Sequence, residues 1–94
     1  MLYKVEEWQG GSGLWYCNCI DGLTTNAAKW YAPARVLGIS PAEFVKLIID
    51  KFGADVVSYN PESGFLHYAW TSQAKMRSFK NYLNAEARKK NFQI

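Results

Sequence analysis

Along this chain the spacing of apolar residues switches between the two-residue period of a strand and the three-to-four-residue period of a helix. From Leu2 to Gln9, Val5 and Trp8 stand among charged residues, which predicts a strand. Gly10-Gly11-Ser12-Gly13 is turn material, because glycine tolerates positive φ. Leu14 to Ile20 (LWYCNCI) predicts the returning strand of a hairpin with a four-residue loop. Asp21 to Asn26 is a polar connection, and a helical pattern begins near Ala27. Pro33 interrupts it, since proline lacks the backbone donor and disfavours helix at the residue before it. The expectation is a kink, or a short helix that starts at Pro33 and ends at Gly38.

Ser40-Pro41-Ala42-Glu43 predicts a second helix start. Serine caps, proline takes the first helical position and glutamate completes a capping box. Phe44, Leu47, Ile48 and Phe52 follow as one apolar stripe, and Gly53 closes the helix. Asp55 to Tyr59 (DVVSY), a turn at Asn60-Pro61-Glu62-Ser63-Gly64, and Phe65 to Trp70 (FLHYAW) predict a second hairpin. Thr71 or Ser72 caps a last helix that reaches about Lys90, with Met76, Phe79, Leu83 and Ala87 along one face. The order β-β-α-α-β-β-α predicts one α+β domain over residues 1–94. Its expected architecture is an antiparallel four-stranded sheet built from two hairpins, with the helices packed on one face.

Ninety-four residues with four Trp, six Tyr and five Phe can fill a small core with few, large side chains. Rings left outside would act as stacking platforms or interface anchors instead. No apolar run is long enough to span a bilayer, and the acidic residues of MLYKVEEWQGG do not suit a signal peptide. Two cysteines make no disulfide framework, so the expected location is cytoplasmic.

Charge adds an asymmetry. Residues 71–94 hold six bases against Glu86 alone, a net +5, whereas residues 1–70 hold five bases against seven acids, a net −2. On the last helix, Arg77, Asn81, Asn84 and Arg88 recur at steps of four, three and four, which places them on one polar face. Lys75, Lys80, Lys89 and Lys90 surround that face. Arginine and asparagine suit phosphates, base edges and carboxylates. These eight residues are therefore the candidate site for nucleic acid or an acidic protein surface. The alternative is a solvated helix whose late bases complement the helix dipole.

A second segment bears on the same question. Ala34-x-x-Leu37-Gly38-Ile39-Ser40, followed by Phe44 and Leu47, resembles the helix–turn–helix of bacterial regulators. It also resembles the helix-to-helix turn of ribbon-helix-helix proteins. The resemblance covers residues 34–48 and implies DNA binding. Pro41, Ala42 and Glu43 stand where a reading helix carries Arg, Lys, Asn or Gln, and only Lys46 is basic near its start. The alternative is an ordinary helix corner in which Gly38 serves backbone geometry.

Cys17 and Cys19 fall two apart on a strand, so both thiols face one side. Zinc needs four ligands, and His67 is the only histidine, so two small buried hydrophobes are expected rather than a metal site. No nucleophile motif surrounds His67, and the acids form no paired pattern. The chain therefore reads as a non-enzymatic binding protein without cofactor. Its expected partner is nucleic acid or a nucleoprotein, met through the basic last helix. A second expectation is a protein-binding effector, for example a phage or mobile-element inhibitor of the anti-CRISPR kind, which an exposed Trp or Tyr cluster away from that helix would favour. A third is a subunit whose exposed rings serve self-association.

Overall fold

A computed structural model of the chain describes residues 4–20 and 28–90. Leu2 of the expected first strand, the connection Asp21–Asn26 and the expected helix start at Ala27 lie outside those residues. The order is β1 (Lys4–Gln9), β2 (Trp15–Ile20), α1 (Ala28–Leu37), α2 (Pro41–Asp50), β3 (Val56–Asn60), β4 (Phe65–Ala69) and α3 (Gln73–Lys89). This is an α+β fold of two antiparallel hairpins and three helices.

Each hairpin follows from its turn. Gly13, at φ 89°, lets the chain reverse so that the Gly10 N–H reaches the Leu14 carbonyl, which sets Trp8 opposite Tyr16 and Glu7 opposite Cys17. In the second turn the Asn60 side chain accepts from the N–H groups of Glu62 and Ser63. That local bond pairs Tyr59 with Leu66 and Val57 with Tyr68.

The four strands do not form one continuous ladder. Among the described residues, two two-stranded sheets are joined by a single antiparallel bridge, Trp15 to Trp70. The two backbones exchange hydrogen bonds of 2.7 and 2.9 Å, so the side chains of Trp15 and Trp70 point to the same side. Cys17 and Cys19 share that side with Leu66 and Tyr68, because strand side chains alternate. Here α2 and α3 pack: Phe44 meets Tyr68 edge-on at 5.3 Å, and Phe79 stacks on Trp70 at 5.3 Å.

Beyond the bridge the hairpins part, and α1 packs against both β2 and β4. The ring of Trp30 lies 4.6 Å from His67 and 5.1 Å from Tyr68, two neighbours that point to opposite sides of β4. A ring can meet both only at the strand's open edge, between the hairpins. The helices are therefore not all on one face, since α1 stands in the gap. This explains why Cys17, Asn18 and Cys19 are all fully buried.

Of the two outcomes expected at Pro33, a helix that starts there does not occur: α1 continues through it. Proline removes only the bond to the carbonyl four residues back, that of Lys29. The pyrrolidine is fully buried among the core residues, between the small side chains of Ala32 and Ala34. Burial in the core offsets the lost bond. Helix α1 then ends as expected at Gly38, φ 71°, where Ile39 N–H reaches Ala34 O and Gly38 N–H reaches Arg35 O. Helix α2 starts with the expected capping box, Ser40 and Glu43 each accepting from the other's N–H at 3.2 Å. The stripe Met76, Phe79, Leu83, Ala87 of α3 is fully buried.

Candidate functional site

The eight residues expected to form a basic face on α3 divide by what they touch. Arg77, Asn81 and Arg88 are exposed along one side of the helix, whereas Asn84 turns partly inward, its Oδ1 buried and without a hydrogen-bond partner among the described residues. Lys80 donates to Glu7 of β1 at 2.6 Å, and Arg77 reaches the other oxygen of the same carboxylate at 3.3 Å while its side chain stays 55% exposed. The hydrogen bond from Lys80 holds the Glu7 carboxyl below the usual carboxylate range, with Arg77 adding to it. Lys89 pairs with Glu86 at 3.3 Å but remains largely exposed.

The two end lysines serve other helices. Lys90 donates its Nζ to the carbonyl of Leu37 at the C-terminal end of α1. The side chain of Lys75 lies against Gly53 beyond the C-terminal end of α2, so close that a β-carbon there would stand 3.3 Å from it. Both positive charges sit where helix carbonyls leave partial negative charge. Exposed pairs of this kind are individually weak, on the order of 0–1 kcal/mol. Even so, the acids and helix ends draw charge away from the outward stripe, which keeps Arg77, Asn81 and Arg88.

The outward side of α2, the helix that carries the regulator-like segment, shows Ala42, Glu43, Lys46, Ile49 and Asp50. Acids outnumber the single base there.

A different cluster gathers on the sheet side away from α2 and α3. Trp8 and Tyr16, directly opposite across β1 and β2, stack at 5.3 Å with 13° between planes. Trp30 meets both edge-on at 6.0 Å, and His67 lies 5.5 Å from Tyr16. Lys29 sets its Nζ 4.9 Å from the Trp8 ring centre and 5.8 Å from that of Trp30. All four rings are half-buried. Phe65, two residues before His67 and so on the same side of β4, is 57% exposed. Beside it the Tyr31 hydroxyl donates to the Gly64 carbonyl.

Counting aromatic residues could not find this cluster, because its members come from β1, β2, α1 and β4. Nor could the expected hairpin: a four-residue loop at Gly10–Gly13 would set Trp8 opposite Trp15, whereas Gly10 bonds Leu14 and the register sets Trp8 opposite Tyr16.

The cysteines are buried, as expected. Burial pushes the Cys17 thiol up to about 12, far from any reactive thiolate. Tyr68, buried beside them, is likewise raised by desolvation. Among the described residues no three His, Cys, Asp or Glu side chains stand close enough to hold a metal ion, and no helix is long and apolar enough to cross a membrane. In comparisons with protein-family models, with curated proteins and with solved structures, nothing matches this chain.

Proposed function

We propose that this protein is a non-enzymatic binding protein that acts by occupying a surface of a larger protein partner through its aromatic sheet side. The observation that carries this reading is the cluster Trp8, Tyr16, Trp30 and His67 continued outward by Phe65, 57% exposed. Large rings held by their neighbours lose little side-chain freedom on binding, which is why such residues dominate protein interfaces. An inhibitor carried by a phage or mobile element is one form this activity takes.

A second reading is kept by a separate observation. Arg77, Asn81 and Arg88 form an exposed stripe on α3, suited to the phosphates of a nucleic acid.

One experiment separates the two. The tagged protein is mixed with lysate of its source organism, and complexes are compared for wild type, Phe65→Ser, and Arg77→Ala with Arg88→Ala. In parallel, duplex and single-stranded DNA and RNA are titrated across a salt series. The protein-partner reading expects a stoichiometric complex that Phe65→Ser abolishes and the double arginine variant retains. The nucleic-acid reading expects salt-sensitive binding lost only in the arginine variant. A complex indifferent to Phe65 overturns the first reading.

A further inference from the structure

The hydrogen-bond phase of β1 shows what its open edge presents. Gly10 N–H bonds Leu14 O, and Trp15 turns both backbone groups toward Trp70, away from β1. Bonded and non-bonded pairs alternate along an antiparallel ladder. Trp8–Tyr16 and Glu6–Asn18 are therefore the bonded pairs, while Glu7–Cys17 and Val5–Cys19 are not. It follows that Val5 and Glu7 point their N–H and C=O groups out of the sheet edge. An open cleft of about 460 Å³ runs along this edge, lined by Lys4, Val5, Glu6, Glu7, Trp8 and Lys80.

Unpaired edges are ready templates for another strand, and proteins commonly guard them with charge. The charges here have opposite signs two residues apart: Lys4 and Glu6 share one side of β1, and neither enters an ion pair with another described residue. We propose that the segment Lys4-Val5-Glu6 of β1 pairs antiparallel with the same segment of a second copy of this chain, about a two-fold axis at the Val5–Val5 pair. In that register Val5 faces Val5, and Lys4 of each copy faces Glu6 of the other.

Charge and phase disfavour the neighbouring registers. An axis at Glu6 sets Glu6 against Glu6, and one at Glu7 sets Glu7 against Glu7; like charges directly opposite destabilise a sheet. An axis between residues would oppose outward backbone groups with inward ones. The Val5 register also keeps equivalent sides of the two sheets together, so the Trp8 clusters of both copies lie on one side of the joint sheet. The self-pairing rests on the β1 edge alone and stands apart from the choice of partner for the aromatic side.

The test is sedimentation equilibrium of the purified full chain over a concentration series at low salt, with circular dichroism to confirm that each variant folds. Wild type is expected to show a monomer–dimer equilibrium. Lys4→Glu alone and Glu6→Lys alone should each weaken the dimer about tenfold or more, because each turns two attractive cross-strand pairs into two repulsive ones. The double variant Lys4→Glu with Glu6→Lys recreates the complement and should return to within about threefold of wild type. A chain monomeric throughout overturns the proposal. So does a dimer indifferent to the single changes, or a double variant no better than either single one.

Discussion

The backbones of Trp15 and Trp70 exchange two hydrogen bonds, and among the described residues this exchange is the whole of the main-chain ladder between the hairpins. The Trp70 side chain reinforces the joint. It is fully buried, stacks on Phe79 and donates its Nε1–H to the Phe52 carbonyl at 2.9 Å, tying β4 to the end of α2. One residue thus links both sheets to two helices.

Trp70→Phe keeps a ring but removes that donor and leaves the buried Phe52 carbonyl without its partner. The expected loss is about 2–4 kcal/mol, combining lost volume with an unsatisfied acceptor. Urea unfolding followed by circular dichroism measures it. A loss below about 1 kcal/mol would show that the joint tolerates replacement of its indole.

Glu7 depends on Lys80 more than on Arg77, since Lys80 makes the 2.6 Å bond. Lys80→Ala should therefore raise the Glu7 pKa more than Arg77→Ala does, as read by NMR titration of the carboxyl carbon. The folded value lies below the unfolded one, so the carboxylate stabilises the fold above the unfolded pKa, about 4.3. That contribution disappears as pH falls through the folded value. Acidification should consequently cost the Lys80→Ala variant less stability than wild type over this window. Equal shifts from the two variants would contradict the assignment.

Asn18 is fully buried, and among the described residues neither its Nδ2 nor its Oδ1 has a hydrogen-bond partner. Each such group carries a desolvation cost that an apolar side chain of similar shape does not. Asn18→Leu is expected to be neutral or to stabilise by about 1 kcal/mol, measured by thermal and urea unfolding. Destabilisation beyond about 1 kcal/mol would indicate that the amide does make bonds in solution.

Cys17, with its thiol held up to about 12, should resist modification in the folded protein. A disulfide reagent added at pH 8 is expected to leave Cys17 unlabelled in native conditions and to label it fully in denaturant, as mass spectrometry of the peptides would record. Rapid native labelling of Cys17 would mean that the α1 gap opens readily.

Much of the local structure was legible in the residues. Ser40-Pro41-Ala42-Glu43 specified the α2 start, and every member of the α3 stripe is buried as its spacing implied. A helix start at Pro33, one of the two outcomes expected there, did not occur because backbone preference competes with burial, and burial of the ring in the core prevailed. The basic face was legible as a count of charges on one helix. Its division was not, since Lys80 meets Glu7 seventy-three residues away and Lys90 meets a carbonyl fifty-three away.

By itself, then, the order of residues determined which segments form strands and helices, where the chain turns and which stripes of α2 and α3 are apolar. Those features depend on neighbours a few positions apart, and their periodicity is written directly in the chain. Only the tertiary structure decided that α1 stands between the hairpins, that a single tryptophan pair joins them, and which charges remain outward. Rings from β1, β2, α1 and β4 meet because the packed backbone carries them together, and no local pattern records such a meeting.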